Sequence, residues 1–187
     1  VRPGFFYQPG TAVHEEAVHF RKQFTTRAAV KQYAMAKAEV FRRLVSFLDR
    51  EVELPAVKLP SITARSVSDV EAAAEACRAE WGLGQGPIDH MVRLAENVGA
   101  VVTTFSSISS EVDALSVSNS RPIIVRNSVK ESPCRQRFDI GHELGHAVLH
   151  QGIQTGDRST EAEANRFAGA LLVPQAMMIK WFPRQRR

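Results

Sequence analysis

The most informative part of the sequence is residues 137–150, Arg137-Phe138-Asp139-Ile140-Gly141-His142-Glu143-Leu144-Gly145-His146-Ala147-Val148-Leu149-His150. Its apolar residues recur at helical spacing, so this stretch is predicted to form an amphipathic helix. Because each helical residue turns the chain by about 100°, His142 and His146 share one face, one turn apart. Two imidazoles at this spacing can bind one metal ion, and Glu143 lies next to them as a candidate general base.

A catalytic metal site of this type needs a third protein ligand beyond the two histidines. Catalytic zinc sites take three protein ligands and keep one position for water, which a neighbouring carboxylate can deprotonate. His150 continues the four-residue spacing, but it lies about 12 Å from His142 along the helix axis at about 1.5 Å per residue. Two imidazole nitrogens on one zinc lie only about 3 to 4 Å apart. The third ligand is therefore expected on another element.

Residues 160–174 are predicted to form a second helix, which offers two carboxylates as the third ligand. Thr160 is the predicted N-cap, and Glu163 completes a capping box with it. The capping box would occupy the side chain of Glu163, so Glu161 is favoured as the ligand and Glu163 is the alternative. Asn165 lies one turn after Glu161 on the same face, where its amide can hydrogen-bond a ligating histidine and fix the ring.

The chain resembles the ImmA/IrrE family of zinc metallopeptidases over residues 67–175. The resemblance rests on these segments: Arg137-Phe138-x-x-Gly141-His142-Glu143-Leu144-Gly145-His146, Glu161-x-Glu163-Ala164-Asn165-x-Phe167-Ala168-x-x-Leu171-Leu172-x-Pro174, Trp81-Gly82-Leu83-Gly84-x-Gly86-Pro87-Ile88, Asp113-Ala114-Leu115-Ser116 and Arg121-Pro122-Ile123-Ile124-Val125. It implies that His142, His146 and Glu161 bind Zn2+, and that Glu143 is the general base.

The resemblance also implies a function. Members of the family cleave helix-turn-helix repressors that control stress or mobile-element genes, so we expect a zinc-dependent endopeptidase that acts in gene regulation and stress response. Its expected partner is a protein substrate, a helix-turn-helix repressor. The alternative is a non-proteolytic transcriptional regulator, or a toxin-antitoxin component, that binds a partner protein or DNA. The oxyanion-stabilising residue is left open among these candidates: Arg126, Arg137, His90 and Tyr33.

Composition places the chain among ordinary globular proteins. It has 187 residues, of which 44% are hydrophobic and 24% are charged, enough for one buried domain with an appended part. The sequence contains no apolar run of about 18 residues and no signal-peptide pattern, so no membrane span and a cytoplasmic location are expected. Cys77 and Cys134 follow no paired spacing, which is typical of reduced thiols.

The N-terminal third differs from the rest in charge. Residues 1–66 hold eleven Lys and Arg against six Asp and Glu, whereas residues 67–187 hold thirteen against fourteen. We predict a helical extension and linker over 1–66 and a zinc metallopeptidase domain over 67–187. A long amphipathic helix is predicted over residues 26–53, and a dimer or partner contact through it is one interpretation. Direct contact with nucleic acid is left open, because scattered basic residues are typical of a solvated helix face.

Three short strands complete the prediction, and they give an α+β, zincin-like fold. Residues 100–105, 112–117 and 122–126 are enriched in β-branched side chains, and Asn119-Ser120 is the predicted hairpin turn between the last two. We therefore expect a small antiparallel sheet. Further helices are predicted from a capping box at Ser68 to about residue 80, and from Pro87 to Gly99.

Overall fold

The computed structural model describes residues 18–22, 28–105, 112–117, 121–127, 132–153 and 155–181. The elements follow in the order β1 (Val18–Lys22), α1 (Ala28–Glu51), α2 (Val67–Glu80), α3 (Met91–Asn97), β2 (Val101–Phe105), β3 (Val112–Val117), β4 (Ile123–Asn127), α4 (Pro133–Leu149), α5 (Arg158–Leu172) and α6 (Gln175–Trp181). Among these elements, no helix combines the length and apolar character needed to cross a membrane. The helix-rich α+β class is therefore as predicted.

The sheet is mixed, so the expectation of an antiparallel sheet is wrong. Its strand order is β1-β3-β4-β2. Strand β3 pairs antiparallel with both β1 and β4, whereas β2 runs parallel to β4 with Val101 opposite Ile123. The physical reason is that β2 and β4 are not joined by a hairpin. The chain leaves β2, forms β3 and returns, so β4 inserts between β3 and β2 and runs in the direction of β2. The predicted turn at Asn119-Ser120 lies outside the described residues.

The core lies between helices α2 to α5 and one face of the sheet. Its most deeply buried side chains include Ile124, Leu144, Phe167 and Leu171, each at most 1% exposed. Helices α4 and α5 pack closely because α4 carries glycine at the contact. A Cβ atom on Gly145 would lie only 3.1 Å from Phe167 Cδ1 and 3.2 Å from Ala164 Cα. Gly145 therefore allows the backbone of α5 to approach the metal-motif helix.

Two helix starts differ from the sequence prediction. Helix α2 begins at Val67, and its N-cap is Ser66, whose hydroxyl accepts from the backbone N–H of Asp69. The capping box at Ser68 is therefore displaced by two residues. Helix α3 begins at Met91 and not at Pro87, with His90 in the N-cap position. Both shifts concern local hydrogen bonds at a helix end, which spacing alone defines only to within a few residues.

Residues 54–66, here called the strap, lie across the helical core without forming a helix or a strand. The backbone N–H of Lys58 donates to Val98 O at 2.9 Å, and that of Ile62 donates to Val148 O at 3.0 Å. Val57 passes so close to Gly99 that a Cβ there would lie 2.5 Å from Val57 Cα. Gly99 also has a φ of +92°, a conformation that side chains rarely adopt. The strap is thus packed onto the domain.

Helix α1 has two apolar faces. One contains Ala38 and Val45, which are 1% and 5% exposed, and Phe41, whose ring meets that of Phe105 edge-on at 6.0 Å. The other is exposed, is turned from the first by about 100° around the helix axis, and consists of Tyr33, Val40, Leu44, Phe47 and Leu48. At its C-terminal end, α1 is held by Arg121, which donates to Asp49 Oδ1 at 2.8 and 3.0 Å and to Pro55 O and Gly99 O.

Candidate metal centre

Helix α4 places the His-Glu-x-x-His motif in the interior of the domain. His142 and Glu143 are each 1% exposed and His146 is 3% exposed. The helix begins at Pro133, and the side chain of its N-cap residue, Ser132, makes no capping hydrogen bond. Since the motif lies in the second half of this 17-residue helix, its backbone is hydrogen-bonded on both sides. Rigid backbone fixes the separation of the two imidazoles.

The N-cap of helix α5 lies three residues before the predicted one, and this changes the contact that Glu163 makes. The N-cap is Asp157, whose Oδ1 accepts from the backbone N–H groups of Ser159 at 2.7 Å and Thr160 at 3.0 Å. Thr160 is buried in the first turn and is not the cap. The predicted capping box is therefore absent, and the Glu163 carboxylate makes a different contact, with His150.

Three side chains from α4 and α5 converge on one point. His142 Nε2 and His146 Nε2 are 3.1 Å apart. Glu161 lies opposite them, with Oε2 at 3.4 Å from His142 Nε2 and Oε1 at 3.4 Å from His146 Nε2. Within the described residues, these three side chains form a group that could hold a metal ion.

The separations within this group fit a metal ion of ordinary coordination geometry. Two donors bound to one tetrahedral metal, with bonds of about 2.0 to 2.1 Å, lie about 3.3 Å apart. The observed separations of 3.1 and 3.4 Å lie on either side of that value. Two nitrogens and one carboxylate leave the fourth position for water or substrate.

The electrostatics of the site favour an ionised Glu161. Burial alone would raise the pKa of this carboxyl, but hydrogen bonds and charge interactions with His142 and His146 outweigh that effect. The pKa of Glu161 therefore lies well below its ordinary value. A carboxylate that stays ionised beside two imidazoles attracts a cation into the group.

Each ligand-type histidine has a partner on its second ring nitrogen. His142 Nδ1 lies 3.0 Å from Asn165 Oδ1, the contact predicted for Asn165. His146 Nδ1 lies 2.9 Å from His150 Nδ1, and His150 Nε2 lies 2.8 Å from Glu163 Oε2. Burial lowers the pKa of His150, against the opposing effect of Glu163, so the neutral imidazole is favoured.

The structure gives two of the candidate oxyanion residues other partners. Arg126 donates to the Gln136 side chain, and Arg137 donates to the backbone carbonyls of Ile88 and Asp89. His90 is the N-cap residue of α3, and Tyr33 lies on the exposed face of α1. Arg137 therefore anchors the segment before α3 to α4.

The sequence prediction missed the role of His150 and Glu163 at this site. From the sequence, His150 is a candidate only as a ligand, and Glu163 only as a ligand or as part of the cap. One signal was available: His150 follows His146 by four residues on the same helix face, where side chains meet. That spacing predicts a contact with a neighbouring ligand even when it excludes a shared metal.

Two buried histidines on one helix and a carboxylate on the next form a candidate metal site, an arrangement that metallopeptidases use. Residues 95–187 match the family model of the M78 peptidases, described as an IrrE N-terminal-like domain. This match confirms the resemblance to the ImmA/IrrE family for residues 95–187. A comparison with curated proteins gave no match.

Proposed function

We propose that the protein is a zinc-dependent endopeptidase that acts in gene regulation. The observation that supports this most directly is the convergence of His142 Nε2, His146 Nε2 and a Glu161 carboxylate at separations of 3.1 to 3.4 Å. The match to a peptidase family model supports hydrolysis of a peptide bond. In this proposal the three side chains hold Zn2+, for which two nitrogens and one oxygen are a common catalytic ligand set.

The proposed chemistry divides between the metal and Glu143. Zinc, when bound, polarises the scissile carbonyl and makes water more acidic. Glu143 follows His142 directly on α4 and is buried, and in this proposal its carboxylate accepts a proton from the attacking water. The same carboxyl then returns the proton to the nitrogen of the leaving amine.

The proposed substrate is a helix-turn-helix repressor in the cytoplasm, cut in an extended segment. Peptides that bind beside a sheet do so by strand addition, which requires extended backbone with accessible N–H and C=O groups. Folded repressor helices cannot bind in this way. The cut is therefore expected in an interdomain linker or in a locally opened segment of the repressor.

The experiment is to incubate the purified protein with the repressor encoded nearest to it. Wild type, Glu143→Gln and a metal-depleted sample are compared by mass spectrometry. One cut with wild type, absent in both other samples, would support the enzyme. Stable binding of the repressor without cleavage, unchanged in Glu143→Gln, would instead favour a non-proteolytic regulator or a toxin-antitoxin component.

We also propose that the exposed face of α1 mediates self-association. In this pairing, the α1 helices of two copies pack antiparallel with their Leu44 residues facing each other. Val40 of one copy then lies opposite Leu48 of the other, since each is four residues from Leu44. The same register places Lys37 opposite Glu51, seven residues to either side, so charge complementarity accompanies the apolar contact. These exposed apolar residues are 38% to 49% exposed, and pairing would remove them from water.

Light scattering over a dilution series tests this pairing. Leu44→Glu should give a monomer, whereas Glu53→Ala, beyond the end of α1, should not change the association. Lys37→Glu and Glu51→Lys should each weaken the dimer, and the double variant should restore it. A wild-type protein that stays monomeric throughout, but loses repressor binding on Leu44→Glu, would assign this face to the repressor instead.

A further inference from the structure

Three side chains form a continuous hydrogen-bonded chain from the surface of α5 to the metal site. Glu163 Oε2 lies 2.8 Å from His150 Nε2, and His150 Nδ1 lies 2.9 Å from His146 Nδ1. The remaining nitrogen of His146, Nε2, faces His142 Nε2 and Glu161. His150 is only 4% exposed, whereas the Glu163 side chain is 36% exposed.

The direction of these hydrogen bonds follows from Glu163. A carboxylate has only acceptors, so His150 must donate through Nε2. In a neutral His150, Nδ1 is then the acceptor, and its contact with His146 requires a proton on His146 Nδ1. A neutral His146 with its proton on Nδ1 has a lone pair on Nε2, the atom that points into the metal site.

His142 reaches the same state through a different partner. Its Nδ1 contacts Asn165 Oδ1, an amide oxygen that accepts a hydrogen bond, so His142 also keeps its lone pair on Nε2. In this metal-binding state, two nitrogen lone pairs and the Glu161 carboxylate face one another with no proton among them, whereas the hydrogen bonds that lower the pKa of Glu161 belong to the metal-free site. Acceptors at 3.1 to 3.4 Å repel unless a cation lies between them.

We propose that His150 and Glu163 are positioning residues, which hold His146 in the tautomer and orientation that bind the metal. This inference rests on the proposed function, because it assigns His146 as a ligand. His150 cannot itself be a ligand here, since its two nitrogens are engaged by His146 and Glu163. Removing an outer partner of a ligating histidine typically weakens metal binding by about 10- to 100-fold.

Variants at Glu163 give the cleanest affinity test, because its side chain is partly exposed and its loss leaves the core intact. Zinc affinity is measured by competition with a chromophoric chelator. Glu163→Ala should weaken zinc binding by about 10- to 100-fold. Glu163→Gln, whose amide oxygen still accepts from His150, should recover part of that loss. Glu75→Gln on the exposed surface of α2 is the matched control and should bind like wild type.

A second pair of variants tests His150 in the same assay. His150→Phe fills the volume but offers no hydrogen bond, whereas His150→Gln has both an acceptor and a donor. The inference predicts weaker zinc binding for His150→Phe and partial rescue by His150→Gln. Cobalt-substituted samples should show an altered visible spectrum in His150→Phe and Glu163→Ala, because the ligand orientation changes. A merely structural role would lower the melting temperature and leave the spectrum of the cobalt site unchanged.

Long-range 1H–15N spectra of the imidazoles test the tautomers directly. His150 should carry its proton on Nε2 in metal-free protein, and His146 should carry its proton on Nδ1 once zinc is bound. A proton on His146 Nε2, or equal zinc affinities and cobalt spectra in all variants, would overturn the inference. A wild type that binds no zinc would overturn the proposed function, and the His150 spectrum would still decide the hydrogen-bonded chain.

Discussion

At the scale of single residues, Asp157 decides where α5 begins and therefore where the carboxylates of that helix point. Its Oδ1 accepts two backbone hydrogen bonds, from Thr160 and Ser159. These bonds, led by the one from Thr160, hold the pKa of Asp157 below its ordinary value of 3.8. Ionised Asp157 also lies at the positive end of the helix dipole. The cap thus fixes the first turn, which contains Glu161.

We predict a pH-dependent effect of Asp157 on stability. A carboxyl with a lowered folded-state pKa stabilises the protein fully above its ordinary pKa, and this contribution is lost as the pH falls through the lower folded value. Asp157→Ala should therefore melt at a lower temperature than wild type at neutral pH. The difference should shrink below about pH 3.8. Asp157→Asn, which keeps an accepting oxygen, should lie between the two; a difference independent of pH would contradict the assignment.

The sequence predicts the paired histidines of this site but not the residues that position them. The spacing of His142 and His146 is a property of one helix, so it is visible without knowledge of the fold. The choice between Glu161 and Glu163 depends on the start of another helix, and the capping box at Thr160 was wrong. Because Glu163 was assigned to that box, its contact with His150 could not be foreseen.

At the scale of elements, the close contact of α4 with α5 brings the third carboxylate to the two histidines. Gly145 lies between His142 and His146 and faces Phe167 and Ala164 across the contact. The neighbouring atoms include the backbone of Ala164, which cannot yield as a flexible side chain does. Any side chain at residue 145 would therefore push α5, and Glu161 with it, away from α4.

We predict that Gly145→Ala destabilises the protein by about 1 to 3 kcal/mol and weakens metal binding. Gly169→Ala is the matched control, because a Cβ at that position of α5 meets nothing within 4 Å. It should stabilise the helix by about 0.5 to 1 kcal/mol and leave the metal site unchanged. Thermal melts with and without zinc measure both effects. Equal behaviour of the two variants would mean that α4 and α5 are not in close contact.

Most helices and three of the strands could be predicted, whereas the pairing of the strands could not. Periodicity and β-branched composition are local, and they place α1, α4, β2 and β3 within a few residues. The parallel pairing of β2 with β4 depends on which strands become neighbours after the chain folds. Nothing in the residues of β2 distinguishes the two directions. Strand β1 was not predicted at all.

At the scale of the whole molecule, the strap joins the N-terminal part to the domain that contains the metal site. Its backbone hydrogen bonds reach Val98 and Val148, and its side chains Leu59 and Ile62 pack against the core. The Trp81 indole N–H donates to Lys58 O at 2.9 Å. We therefore propose that the metal-site domain begins near residue 54 and not at residue 66, so that a truncation at residue 54 preserves its folded stability better.

Two truncations test that proposal. A form beginning at Pro55 keeps the strap but loses β1 and the buried face of α1, so it should fold with a melting temperature below that of wild type. A form beginning at Val67 loses the contacts of Leu59 and Ile62 and should melt at a clearly lower temperature, because buried apolar surface becomes exposed. Both forms lose the Asp49 ion pair with Arg121, so this pair cancels in the comparison. Equal melting temperatures would place the boundary at residue 66.

The central claim is that His142, His146 and Glu161 hold one zinc ion, and elemental analysis tests it most directly. Wild type, His142→Ala, Glu161→Ala and Glu163→Ala are saturated with zinc and separated from free metal. We predict one zinc per chain in wild type, loss of zinc in His142→Ala and Glu161→Ala, and retention of zinc in Glu163→Ala at saturating metal. Full zinc in Glu161→Ala together with loss in Glu163→Ala, or no zinc in wild type, would contradict the account.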